Sequence, residues 1–119
     1  MAVRIEIGID SVAPEMLAPF WAAALGYAIG DMDRAGRYLD LVPPEDQMPV
    51  VYLQRVPEPK TVKNRLHLDL WTTESAETVE RLISLGATRL GSVVSGSEGG
   101  SWQVLADPEG NEFCVCHVD

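Results

Sequence analysis

Glu6, His67, Asp69 and Glu112 are the residues of this chain of 119 whose types suit chemistry at a divalent ion. The imidazole with the Glu6 and Glu112 carboxylates fits a five- or six-coordinate ion, leaves positions open, and suits zinc, manganese, iron, nickel and cobalt alike. An ion with open positions can take two neighbouring substrate oxygens, polarise them and stabilise the oxyanion that develops. Beside such an ion a carboxylate, Asp69 or Glu112, would carry the proton. A plainer account competes at each position: a solvated strand carboxylate for Glu6, a hydrogen-bonded cleft histidine for His67, a surface carboxylate beside a turn for Glu112. A fold that turns them to a common face shifts the balance toward the metal set only modestly.

The pattern of the chain supplies such a face. Residues 3–10 alternate, with Ile5, Ile7 and Ile9 on one side and Arg4, Glu6, Gly8 and Asp10 on the other, the period of a half-buried strand. Pro14 suits a first helical turn, Leu17, Phe20, Trp21 and Leu25 recur at helical spacing, and Gly26 can cap the end, so a helix is predicted over 14–25 with Trp21 in the core. Strands are predicted over 27–32, 38–42 and 50–56, between Gly, Pro and charged turns. The connector 57–64 is polar and interrupted by proline, and after it the order begins again. Residues 66–71 set Leu66, Leu68 and Leu70 against His67, Asp69 and Trp71; a helix follows over 75–85, then strands over 88–94, 102–106 and 112–118. Sealing the aliphatic faces under the helices stabilises by about 25 cal/mol per Å² of apolar surface. The opposite, concave face then carries Glu6, His67, Asp69 and Glu112, because Phe113 and Val115 take the helix side. The fold class expected is α+β, two βαβββ modules (1–60 and 61–119) in one domain. One offset, to within a few residues, relates Gly26 to Gly86, Glu6 to His67, and Leu41-Val-Pro-Pro-Glu45 to Leu105-Ala-Asp-Pro-Glu109, the mark of a divergent duplication.

Composition bounds the partners. Eighteen acidic residues against nine basic ones give a formal net charge of -9, a field that repels phosphate backbones and anionic lipid, so neither nucleic acid nor a membrane is expected. No apolar stretch approaches the roughly 18 residues of a spanning helix, and the first residues lack a signal peptide's apolar region; a cytoplasmic location is expected. Cys114 and Cys116 stand two apart in a strand-like run, a poor geometry for a mutual disulfide, and read as reduced, buried thiols.

Three segments resemble one known family. Phe20-Trp-Ala-Ala-Ala-Leu-Gly-Tyr27 is similar to the first-helix signature of the vicinal-oxygen-chelate superfamily (glyoxalases, bleomycin-resistance proteins and extradiol dioxygenases). Asp107-Pro-Glu-Gly-Asn-Glu-Phe113 resembles its hairpin before the last strand, and Arg65-Leu-His-Leu-Asp69 completes the match. The resemblance spans essentially the whole chain and implies two βαβββ modules forming an open barrel or cup. In metal-dependent members the ligands come from the first and last strands of each half, which by position implies Glu6, His67 and Glu112 here. The fourth position falls near residues 48–51, which ligate a hard ion poorly, and Gln54 is the nearest substitute. The family pairs its halves within one chain or by exchange between two, so a homodimer is expected, with the connector 57–64 as the hinge of any exchange.

Tyr52, Trp71 and Trp102 are the aromatic residues suited to cup walls; the basic cluster of Lys60, Lys63 and Arg65 reads first as a solvated linker, and Arg65 also stands where it could hold an anionic substrate. Residues 95–101 are rich in glycine and read as a flap between strands, and His117 as an exposed residue outside the site. Two functions follow. One is an enzyme, a divalent-metal lyase, isomerase, transferase or dioxygenase acting on a small oxygenated molecule. The other is a metal-free module that binds or sequesters a small molecule, as the bleomycin-resistance branch does, with no cofactor at all.

Overall fold

Ile7 and Ile9 point to one side of strand β1 (Glu6–Ser11) and Glu6, Gly8 and Asp10 to the other, and the helix that follows covers the isoleucine side. In the computed structural model, residues 2–96 and 99–118 are described, and the chain divides into two compact units, Met1–Pro59 and Lys60–Asp119. In the first unit β1 leads into α1 (Pro14–Leu25), β2 (Ala28–Met32), β3 (Tyr38–Val42) and β4 (Val50–Arg55). The sheet order is β1-β4-β3-β2, with β1 and β4 parallel and the other pairs antiparallel. Pro14 opens α1, where its missing N–H costs nothing, and Gly26 ends it at φ 71°, donating its N–H to the Ala22 carbonyl. Leu17, Ala18, Phe20 and Trp21 of α1 and Leu39, Leu41, Val51 and Leu53 of the sheet are buried, with the Phe20 and Trp21 rings edge to face at 5.4 Å.

The second unit repeats the plan with β5 (Leu68–Thr72), α2 (Ser75–Ser84), β6 (Thr88–Arg89), β7 (Val94–Ser95), β8 (Ser101–Ala106) and β9 (Glu112–His117). Its sheet runs β5-β9-β8-β6, with β7 also on β8, and β5 and β9 are again parallel. Val79 and Leu82 of α2 are buried, as are Leu105, Phe113 and Val115 of the sheet, and α2 packs on β9. The hairpin from β8 to β9 is tied by Asp107: its Oδ1 accepts the N–H groups of Glu109 (2.8 Å) and Asn111 (2.9 Å), and its Oδ2 accepts the Asn111 side-chain amide (2.9 Å).

The boundaries differ from expectation where a strand loses its neighbour. Alternation extends the first strand back to residue 3, yet β1 begins at Glu6, opposite the first residue of β4, Val50; beyond that edge Ile5 is 69% exposed. Likewise β5 begins at Leu68 instead of 66, leaving Leu66 88% exposed and His67 immediately before the strand. The strand expected over 88–94 is two short pieces, β6 and β7, and between them the Gly91 carbonyl accepts a bond from the Gln103 side chain at 2.8 Å. Of the flap expected over 95–101, residues 97 and 98 lie outside the described residues.

Candidate functional site

The pleat of β9 divides its side chains. Phe113 and Val115 pair with Leu68 and Leu70 on the face toward α2, whereas Cys114 pairs with Asp69 and Cys116 with Trp71 on the opposite face. Val104 and Trp102 of β8 join that second face opposite Cys114 and Cys116. His67 precedes Leu68 by one residue, and its Nδ1 lies 3.1 Å from Asp69 Oδ1. One donor atom each from His67, Asp69 and Cys114 falls within a mutual 4.8 Å, the one such group among the described residues. The two polar side chains are exposed and the thiol is buried. Burial first, and then the Asp69 carboxylate to which it hydrogen-bonds, push the Cys114 thiol up. Cys116, more strongly affected, is pushed up to about 11 by burial, Asp69 and Cys114. Both are protonated at neutral pH, in keeping with the expectation of reduced, buried thiols.

Glu112 belongs to the same sheet face, since it shares the parity of Cys114, but its carboxylate is already engaged. Lys60 Nζ lies 3.0 Å from Oε2, Lys63 Nζ reaches Oε1, and the Asn64 N–H donates to Oε2 at 3.3 Å. Only 9% of the Glu112 side chain is exposed. The Lys63 and Lys60 ammonium groups hold its carboxyl down to about 2. A carboxylate so acidic is a poor proton carrier near neutrality, and one whose two oxygens carry two cations does not fit a metal ion. From sequence, Lys60 and Lys63 read as part of a solvated linker. Their charge and spacing carried no sign of the contact, which depends on the chain crossing the end of β9.

The other anticipated residues are distributed as follows. Glu6 lies on the polar face of the first unit's sheet with Arg4 Nη2 at 2.8 Å from Oε2. Opposite it stands Val50, so the position homologous to Glu112 offers no ligand, and Gln54 lies further along β4 beside Asp10. Tyr52 is on the same face, pressed over Gly8, where a Cβ would meet the ring at 2.7 Å, and edge to face with Tyr38 at 6.1 Å. In the second unit Trp71 is 64% exposed on the face of Asp69, and Arg65 is exposed just after the connector. Trp102 also edges a hollow of about 80 Å³ between α2 and the sheet, lined with Ser75, Val79, Val93, Gln103 and Val115. His117, expected to be exposed, is half-buried on the α2 side, with Nδ1 3.0 Å from Ser75 Oγ, because its parity matches Val115.

The glyoxalase-like domain family profile matches residues 6–116. Among solved structures, a glyoxalase/bleomycin resistance protein/dioxygenase family enzyme from Burkholderia phytofirmans PsJN is 19% identical at a TM-score of 0.74, covering 96% of this chain and 97% of that one. A member of the same superfamily from Sphaerobacter thermophilus is 20% identical at 0.75, covering 99% and 98%. TioX from Micromonospora sp. ML1 is 17% identical at 0.68, covering 98% of each. At these identities the likeness is one of fold. No curated protein matches the chain. No helix among the described residues is long and apolar enough to cross a membrane.

Proposed function

The chain belongs to the glyoxalase-like domain family, and on that premise we propose that it is an enzyme acting on a small oxygenated molecule, by lyase, isomerase, transferase or dioxygenase chemistry, with a divalent ion seated at His67. The observation that carries this reading is the His67 imidazole itself. It is exposed on the polar face of the second sheet, outside the core, and its ring is oriented by Asp69 at 3.1 Å. An exposed imidazole and carboxylate this close together can hold one cation between them. Trp71, on the same face, supplies an apolar wall for a bound molecule. The proposal includes both units acting as one domain and the chain working as a cytoplasmic homodimer.

The acidic first sheet favours the second reading, a metal-free binder. Tyr38 and Tyr52 stand edge to face on a surface shared with Glu6, Asp10 and Asp40, a setting for a cationic aromatic guest. Thermal denaturation of the purified chain with manganese, nickel, zinc, cobalt and iron(II), together with metal analysis, separates the two. The enzyme reading expects stabilisation by at least one ion and its loss in His67→Ala with the fold intact. No response to any ion would leave the binder.

A further inference from the structure

We infer that His67, Asp69 and Cys114 together form a site for a zinc-like divalent ion with a thiolate ligand, in place of the carboxylate set of Glu6, His67 and Glu112. The inference rests on the reading that His67 seats a cation, and it specifies which side chains complete the site.

The backbone brings the three residues together. Asp69 and Cys114 are direct partners in the parallel pair β5 and β9, so their side chains leave the same face of adjacent strands. His67 shares the parity of Asp69 and is already joined to it at 3.1 Å. Two ligands of a tetrahedral zinc ion, at about 2.0–2.3 Å from the metal, lie roughly 3.3–3.8 Å apart. The donor atoms of this group, all within 4.8 Å of one another, therefore need only side-chain adjustments of about an ångström to close on an ion. Three protein ligands leave the fourth position for water or substrate, the pattern of catalytic zinc.

Electrostatics separates this set from the other. At Glu112 two ammonium groups stand on the carboxylate, so a cation would have to displace both, whereas Asp69 faces an imidazole and a thiol, neither carrying an obligatory positive charge. Glu112 is then a structural anchor that ties the connector to the start of β9 through Lys60, Lys63 and Asn64, apart from the three ligands. Binding breaks the Cys114 S–H bond, forms the sulfur–metal bond and releases the proton to solvent, with no change in oxidation state. A thiolate in the set selects zinc and cobalt(II) over manganese, magnesium and calcium.

The test is titration of the whole chain with cobalt(II) and zinc under reducing conditions. The inference expects a near-ultraviolet thiolate-to-cobalt charge-transfer band that zinc abolishes. Cys114→Ser should remove the band and weaken binding by more than the roughly 10–100-fold that loss of an outer-shell partner costs. Glu112→Gln and Cys116→Ser should keep both band and affinity. Asp69→Asn supplies a second variant at an exposed position, in case the serine variant fails to fold, and should weaken binding comparably. Cobalt bound without the band, retained in Cys114→Ser and lost in Glu112→Gln, would overturn the inference while preserving a cation at His67. No binding of either ion would overturn both.

Discussion

Two neighbours on β9 should respond in opposite ways to substitution, because the pleat sends them to opposite faces. Phe113 is fully buried on the side where α2 packs, and truncating such an aromatic to alanine costs about 3–5 kcal/mol. With an unfolding entropy of about 2.1 cal/mol/K per residue, 119 residues give roughly 0.25 kcal/mol/K, so Phe113→Ala should lower Tm by about 12–20 °C. Cys114→Ser changes little volume, and its hydroxyl can still donate to Asp69, so the cost in Tm should be a few degrees. Zinc at a hundredfold excess over Kd stabilises the folded chain by about 2.7 kcal/mol, or roughly 11 °C on the same scale. Phe113→Ala, measured at a temperature where it is folded, should retain that zinc increment; Cys114→Ser should lose it. Circular-dichroism melts of both variants, with and without zinc, read all four quantities. A stable Phe113→Ala beside a Cys114→Ser that collapses would show that the two faces of β9 have been assigned the wrong way round, and the placement of the site would fall with them.

Two further outcomes test what holds the site in place. Asp107→Ala removes a carboxylate that accepts three hydrogen bonds inside the hairpin; bonds to charged groups contribute about 1.5–3 kcal/mol each net of water, and losing the equivalent of even one, about 2 kcal/mol, gives a Tm loss of at least about 8 °C by calorimetry. The Glu112 clamp sets an acid limit: its folded carboxyl sits near 2 against an ordinary 4.5, so its contribution is fully present above about 4.5 and is lost as pH falls from there toward 2, and Glu112→Gln should flatten the acid-unfolding curve across that window.

Hydrophobic period reveals which way side chains face but not where a strand stops. The alternation of Ile5, Ile7 and Ile9 and of Leu66, Leu68 and Leu70 correctly predicted two sheets with one face under a helix, and Pro14 with Gly26 marked the ends of α1. Ile5 and Leu66 continue the pattern past the sheet edge, because pairing ends where the partner strand ends, and the partner is set by topology rather than by local sequence. The glycine-containing stretch between β6 and β7 reads as continuous strand for the same reason, and only the Gln103 bond to the Gly91 carbonyl shows the break.

The site was legible to the extent that it depends on parity. Asp69 and Glu112 share a face of the second sheet, His67 stands at the same parity one residue before β5, and Cys114 lies on that face by the same rule applied one pair further along β9. Register was the missing quantity: parity alone cannot tell that Asp69 stands directly against Cys114 while Glu112 meets the incoming connector. Register also explains why the duplication is chemically lopsided. The same parallel pairing that sets Asp69 beside Cys114 sets Gly8 beside Tyr52 in the first unit, and Glu6 there faces Val50. Each half keeps the backbone that would present a ligand pair, yet only the second fills those positions with imidazole, carboxylate and thiol. Grafting a histidine at Glu6 would therefore leave the first unit without a partner ligand at Val50, and metal affinity should still track residues 67, 69 and 114.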